Sequence, residues 1–326
     1  MQYGNGPTYG GSTMTPAMSL AISIYDSVSS QFLEVKYAEF LWRKVLSKDQ
    51  IIGDVNVGAQ NFVKIIRDQR GMAAFQSQTS NQNIPRVGLS LGAMTIPLQA
   101  SAVSSAITNE DERQYKAGNL GTLTKDLGGV MNKACENLIE TTTIFGDPSV
   151  GFQGFMSYTG IPTSNPAMGA SQATEWTSKT AQEMVKDVND AITYMWVNSR
   201  GIFIPGKVFL PMQQYSYLAN TPMTIGGVNN GKSAMTYLME NNIYTNETGK
   251  QLEIIVFRYL TKAGAANSDR MILMDSNPDY QGMPFPLPYA MTAPVPVPLG
   301  AAFFAEQKHG SFSVFQPGSM LYIDGI

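Results

Sequence analysis

Hydrophobic residues recur at three- and four-residue spacing in several stretches, a pattern that predicts amphipathic helices. The first predicted helix runs from 29 to 47, and the second, much longer, runs from 108 to 143. A third covers 177–198, and two shorter helices cover 211–219 and 232–241. The pattern therefore predicts five helices.

The second helix carries the clearest local signals. Its first turn holds Glu110, Asp111 and Glu112, where the positive end of the helix dipole favours carboxylates. Binding of a cation is the alternative role for these acids, and helix capping is the simpler one. Four glycines weaken the helix, and they indicate close approach of a neighbouring backbone or a break, namely Gly118, Gly121, Gly128 and Gly129.

Two stretches of β-forming residues, 61–67 and 86–96, flank a polar run at 77–83 and predict a long hairpin. The hairpin has almost no core of its own. Because an isolated two-stranded hairpin is marginally stable in water, it needs another surface to lie on.

Further strands are expected in the second half of the chain. They cover 207–210, 252–257, 270–275, 301–305 and 311–323, and a proline-rich extended connector covers 284–298. Strands and helices are mixed without regular alternation. The pattern therefore predicts an α+β fold and not a regularly wound parallel sheet.

Charge is scarce in this chain of 326 residues. Only 14% of the residues are charged, against about a quarter in typical soluble domains, and the net charge is −3. Charge keeps copies of a soluble protein apart. A surface so poor in charge is expected where much of it faces other copies.

The composition excludes several classes of protein. No basic block is present that could bind nucleic acid through its phosphates. The single cysteine, Cys135, and the single histidine, His309, exclude a disulfide framework and a multi-histidine metal site. No stretch approaches the ~20 apolar residues of a membrane span, and the first fifteen residues lack the features of a secretory signal.

Single reactive residues point to structural roles. Cys135 falls near the apolar face of the second helix, which predicts a buried thiol. His309 lies in a predicted turn and is expected at the surface. No constellation supports nucleophilic or paired-carboxylate catalysis, so we expect no enzyme, no cofactor and no metal.

One segment matches the sequence motif of a nucleotide-binding loop. Residues 226–233 match G-x-x-x-x-G-K-[ST], with Gly226, Gly231, Lys232 and Ser233 in the defining positions. Asp275 ends an apolar run and could orient magnesium. The preceding residues contain a proline and make a poor strand, and a solvated glycine-asparagine turn is the favoured interpretation.

The order of elements resembles that of the major capsid proteins of tailed bacteriophages, the Hong Kong ninety-seven-type shell fold. The local matches are Gly146-Asp147 with the glycine-rich stretch 151–156, Trp176-Thr177 before the third helix, and 315–326 with its Asp-Gly-Ile ending. Stretches 71–73 and 84–87 of the hairpin are also similar. The chain departs from the subfamily at Lys308, His309 and Gln316, where arginines are common.

The resemblance implies five regions. They are an N-terminal arm and helix (1–50), an extended hairpin loop (51–106), a spine helix with a peripheral domain (107–157), an axial domain (158–292), and return strands of the peripheral domain (293–326). It also implies a structural subunit that assembles into hexamers and pentamers of an icosahedral virion capsid around double-stranded DNA, after assembly in the host cytoplasm.

The partners implied are other copies of the chain, a portal, and a scaffold or decoration protein, with no membrane. The residues expected at contacts between copies are Phe62, Ile65, Arg67, Arg70, Val87 and Leu89. Two alternatives stay open at this point: a nucleotide-binding protein that uses 226–233, and an encapsulin-like compartment shell.

Overall fold

The computed structural model describes residues 38–70, 88–117 and 123–326, and mixes helices with strands as the α+β prediction requires. The α-helices are α1 (Trp42–Val45), α2 (Asn109–Ala117), α3 (Leu123–Ile144), α4 (Ala181–Asn198), α5 (Met212–Asn220), α6 (Ala234–Glu240) and α7 (Ile243–Thr248). The strands are β1 (Ile51–Ile52), β2 (Asn61–Arg70), β3 (Gly88–Thr108), β4 (Gly146–Asp147), β5 (Phe152–Gln153), β6 (Thr163–Ser164), β7 (Lys207–Leu210), β8 (Pro222–Ile225), β9 (Val228–Ser233), β10 (Glu253–Val256), β11 (Arg270–Met274), β12 (Gln281–Pro284), β13 (Leu287–Met291), β14 (Val295–Val297), β15 (Gly300–Gly310), β16 (Ser313–Val314) and β17 (Met320–Asp324).

The chain divides into two compact units. Within the described residues, unit 1 contains 38–39, 101–117, 123–137 and 289–307, and the remainder forms unit 2. Both β3 and β15 run from one unit into the other, as does α3.

Unit 2 is built on a five-stranded sheet with the order β10-β7-β11-β17-β6. β7 pairs in parallel with β10 and antiparallel with β11, which pairs antiparallel with β17. All residues of β7 and β17 are buried. Strands buried on both faces read as continuous hydrophobic runs, which is why 207–210 and 270–275 were recognisable from sequence.

Each face of this sheet belongs to a different hydrophobic core. Phe209, Ile272 and Tyr322 point into a first core that also holds Phe155 and Phe312. The alternate residues of the same strands point into a second core beneath α4, and they include Val208, Leu210, Met271, Leu273, Leu321 and Ile323. Side chains on a strand alternate between faces, so three strands supply both cores.

A buried ion pair fixes the start of α4. Lys179 Nζ lies 2.6 Å from Asp187 Oδ2, with side chains only 1% and 4% exposed, and Trp176 Nε1 donates to the same oxygen. Thr180 and Glu183 form a capping box at the first turn. The predicted helix over 177–198 therefore begins later, because Trp176–Ser178 is a 3₁₀ turn that precedes the cap.

The Asp-Gly-Ile ending is locked into unit 2. Arg270 donates through Nε and Nη2 to the two carboxylate oxygens of Asp324, at 2.6 and 2.8 Å. Gly325 adopts φ +88°, and Ile326 is buried in the second core.

Unit 1 places part of α3 against strands of a sheet. Its hydrophobic cluster contains Ile107, Met131, Phe303 and Ala305, and β14 pairs antiparallel with β15. Cys135 is buried, which confirms that prediction, and Gln307 Nε2 donates to its carbonyl oxygen.

One helix prediction needs correction. The helix expected over 29–47 is only one turn, α1, in its described part, and residues 38–41 are not helical. Of the helix expected over 108–143, the structure describes α2 and α3, and residues 118–122, which include Gly118 and Gly121, lie outside the described residues.

The glycines of α3 do not mark a close backbone contact. A Cβ at Gly129 would meet nothing within 4 Å, and one at Gly128 would meet only a methionine sulfur at 3.8 Å. The acids of α2 do cap it: Asp111 Oδ2 accepts from Thr108 N, and Thr108 Oγ1 accepts from Asp111 N.

The proline-rich stretch 284–298 is not a plain connector, because it contains β13 and β14. The last strands also differ from the prediction. β15 extends from Gly300 through Gly310, and 311–323 divides into β16, a 3₁₀ turn and β17.

Candidate assembly surfaces

The hairpin predicted from sequence is present as β2 and the first half of β3. The two strands pair antiparallel from Asn61↔Pro97 to Arg70↔Gly88 without a shift in register. Residues opposite each other in such a pair share a face, so the register assigns every side chain to one of two faces.

One face of the hairpin belongs to the subunit's own core at its base. Ile96 is 1% exposed, and Met94 packs against the first core. Lys64, opposite Met94, lies 5.0 Å from the centre of the Phe315 ring. These contacts anchor the base of the hairpin on unit 2.

The other face carries apolar side chains that the described residues leave exposed. Val63 and Ile65 are 51% and 63% exposed, and Leu89 and Leu91 are 60% and 63% exposed. The register places Ile65 opposite Ala93 and Leu91 opposite Arg67, so the four form a continuous apolar stripe. We call these four residues the apolar face of the hairpin. Exposed apolar patches of this kind mark contact surfaces.

The residues predicted at contacts divide between the two faces. Ile65, Arg67 and Leu89 lie together on the exposed side, and Phe62 is half-buried on the opposite side, across from Ile96. Val87 and the side chain of Arg70 lie outside the described residues. Val63 and Leu91 were missed, although strict alternation along 61–67 and 86–96 would have found both.

The glycine-rich motif at 226–233 is an exposed β8–β9 hairpin. Gly226, Gly227 and Gly231 adopt φ of +61°, +81° and +71°, as a tight turn requires. Lys232 lies in β9 and pairs with Glu240, and Ser233 caps α6. A phosphate-binding loop needs a free lysine and hydroxyl at a strand-to-helix turn, so the geometry does not support nucleotide binding.

Asp275 has a structural role. Its carboxylate accepts hydrogen bonds from the backbone nitrogens of Ile204 and Asn277, at 3.3 and 3.1 Å, and burial raises its pKa. In the described residues, no group of three or more His, Cys, Asp or Glu could hold a metal ion.

His309 is buried, and its prediction as a surface residue is wrong. It lies in β15, is 2% exposed, and its ring meets Phe152 edge-on with centroids 5.8 Å apart. The sequence Lys-His-Gly is typical of a turn, but here all three residues belong to β15. The neighbouring Lys308 donates through Nζ to Val57 O.

His309 has one hydrogen-bonding neighbour in the core. Its Nε2 lies 3.1 Å from Thr142 Oγ1, which also contacts Leu138 O at 2.9 Å. The other ring nitrogen, Nδ1, is buried without a partner. Burial lowers the pKa of His309 from 6.5 to about 4.

The fold is that of phage capsid proteins, as the superposition on solved structures shows. The capsid of Myoviridae phage XM1 superimposes with a TM-score of 0.73 at 15% identity, over 98% of this chain and 100% of that one. The capsid of an empty GTA particle gives 0.57 at 12% identity, over 96% and 99%. Gordonia phage Cozz gives 0.54 at 13% identity, over 99% and 98%.

The family model for the major capsid protein matches residues 71–326, and the chain belongs to this family. It is a structural subunit of a bacteriophage capsid, as the sequence predicted. No curated protein sequence matches the chain. Among the described helices, none is long and apolar enough to cross a membrane.

Proposed function

We propose that the subunit assembles into hexamers and pentamers by laying the apolar face of its hairpin on a neighbouring copy. The observation that carries this proposal is the exposure of Val63, Ile65, Leu89 and Leu91 on one side of a hairpin whose base is anchored in the first core. Nothing in the described part of the subunit covers them, and a second copy provides the missing surface.

Burial of this face contributes to the free energy of assembly. Complete burial of an aliphatic side chain stabilises by about 1.5–3 kcal/mol, so four that are half exposed offer about 3–6 kcal/mol per hairpin. Association consumes part of this through lost motional freedom. A closed shell repeats the contact at every copy, so the free energies of many modest contacts add up over the whole assembly.

The five regions keep the roles given by the resemblance, with 51–106 reaching to a neighbour, 107–157 and 293–326 forming the peripheral domain, and 158–292 surrounding the capsomer axis. The shell encloses packaged double-stranded DNA without reading its sequence, which suits a net charge of −3 and the absence of a basic block. A portal, and a scaffold or decoration protein, complete the assembly in the host cytoplasm. The subunit performs no catalysis.

Ile65→Lys tests the proposal, and Ser90→Lys is the matched control. Ile65 is on the apolar face, and Ser90 is exposed on the opposite side of the same hairpin, across from Asp68. Both changes add one positive charge to a solvated strand. We expect Ile65→Lys to leave folded, unassembled subunits, because each contact loses apolar burial and must desolvate a charge.

Light scattering and electron microscopy report particle formation, and circular dichroism reports folding. Normal particles from Ile65→Lys would contradict the role of the apolar face. Wild-type particles that hold protein cargo in place of nucleic acid would favour the encapsulin-like compartment instead.

A further inference from the structure

Strand β9 holds an asparagine directly before a glycine. Asn230 and Gly231 are both exposed, and they belong to the motif 226–233, to which shell assembly assigns no role. Glycine has no side chain, so its backbone nitrogen is the least hindered nucleophile that can follow an asparagine. A Cβ at Gly231 would meet nothing within 4 Å, so solvent also reaches this peptide bond. The pair is therefore open to attack of the glycine nitrogen on the asparagine side chain.

A bulge removes this pair from the ladder of the β8–β9 hairpin. The register shifts between Pro222 and Thr224, and the three residues 230–232 have no partner in it. The extra residues of a bulge are unpaired, and the ladder is locally disrupted around them. The backbone nitrogen of Gly231 is therefore not fixed by β8, as it would be in a regular pair of strands.

The two neighbouring asparagine side chains differ in what they bind. Among the described residues, none forms a hydrogen bond with the Asn230 carboxamide, which is free to approach the next nitrogen. Asn229 Oδ1, by contrast, accepts a hydrogen bond from Gly231 N at 2.9 Å. The nitrogen must lose this proton before it can act as a nucleophile, and an acceptor that binds the N–H opposes the loss. Asn229 therefore slows a reaction that the rest of the geometry permits.

We propose that Asn230 is a site of spontaneous deamidation, and that Asn229 sets its rate by holding the amide proton of Gly231. In the first step a base in the solvent removes this proton, and the Gly231 nitrogen bonds to the side-chain carbonyl carbon of Asn230. The bond from that carbon to the side-chain nitrogen breaks, and ammonia leaves. In the second step water opens the resulting five-membered imide at one of its two carbonyl groups. The product is aspartate or isoaspartate at position 230.

Deamidation changes both the charge and the backbone of the hairpin. Each conversion adds one negative charge to a subunit whose net charge is −3. The new carboxylate lies two residues from Lys232, which pairs with Glu240. In the isoaspartate product the main chain also gains one carbon shortly before Ser233, which caps α6. Because every copy carries the same pair, these charges accumulate as the protein ages, however the copies contact one another.

Mass spectrometry of the free subunit after incubation in mildly alkaline buffer tests the site. Asn267 is the internal control, because it is exposed but precedes a serine. In water enriched in oxygen-18, opening of the imide places one heavy oxygen at each converted residue, which identifies the reaction. We expect Asn230 to convert several times faster than Asn267. Conversion of Asn230 no faster than that of Asn267 would overturn the proposal.

Variants at position 229 test the control of the rate. Asn229→Ala removes the acceptor and should make conversion at 230 about fivefold faster, the effect of one ordinary hydrogen bond. Asn229→Asp retains an acceptor oxygen and should keep the slow rate. Circular dichroism reports whether the variants fold, and wild type unfolded in guanidinium chloride gives a second measurement of the rate without the hydrogen bond. Equal rates for wild type and Asn229→Ala, or for native and unfolded wild type, would overturn the role of Asn229.

Discussion

Acidification from pH 7 to pH 4 is expected to destabilise the unassembled subunit through His309. The buried ring is neutral in the folded state, with its pKa lowered to about 4, and an unfolded chain restores the ordinary value near 6.5. Between about pH 6.5 and pH 4 the unfolded state therefore binds a proton at this residue, whereas the folded state does not. The contribution of His309 to the free energy of unfolding is therefore fully present above pH 6.5. It decreases as the pH falls from 6.5 to about 4, and it stays constant at lower pH.

The magnitude follows from the size of the shift. Each pKa unit is worth 1.36 kcal/mol, so a fall from 6.5 to about 4 costs about 3 kcal/mol at pH 4. The physical cause is burial, because a charged imidazolium would lose its hydration in a core where Nδ1 has no partner and the rings of Phe152 and Phe285 lie nearby.

Urea unfolding of the free subunit between pH 4 and pH 7 measures how the free energy of unfolding depends on the titration of His309. His309→Gln is the matched variant, because its amide can still donate toward Thr142 but does not titrate between these pH values. Other groups titrate equally in both proteins and cancel in the difference. Wild type should lose about 3 kcal/mol more than His309→Gln over this range, and identical pH profiles would refute the reasoning.

Three further outcomes are expected from single changes. Lys179→Met should lower the free energy of unfolding, measured with urea, by about 3–5 kcal/mol, because it leaves Asp187 buried without its cation. The double variant Lys179→Met with Asp187→Leu should recover much of that free energy. Gly129→Ala should raise the free energy of unfolding by about 0.5–1 kcal/mol, because the helix gains propensity and the Cβ meets nothing; a loss would contradict the open space at this position. Lys232→Ala should change stability by less than about 1 kcal/mol, because its pair with Glu240 is exposed, and calorimetry with magnesium and a nucleoside triphosphate should show no binding to either protein.

Buried strands and the C-terminal end of α4 were accessible from sequence, whereas the start of α4 was placed at 177 in place of Ala181. Val208–Leu210 is a continuous apolar run, and Thr180 with Glu183 forms a capping box whose residues are close in the sequence, although the prediction did not use it. The hairpin was also recognisable, since β-forming runs flank a polar segment. In each case the residues that decide the structure are neighbours in the chain.

The missed features depend on residues distant in sequence. His309 is buried because Thr142 and Phe152 surround it, and nothing beside it in the chain indicates this. The prolines of 294–298 indicated a connector, but β15 offers a partner that makes them an edge strand. Phe62 and Ile65 differ by three positions and so face opposite ways, a consequence of strand geometry that a list of apolar residues ignores.

The central sheet of unit 2 determines how this unit unfolds. Because β7, β11 and β17 supply side chains to both cores, neither core can open while the other stays intact. Unit 2 should therefore behave as a single cooperative folding unit, without a partly open state that exposes one core. A destabilising change in either core is therefore expected to lower the stability of unit 2 as a whole.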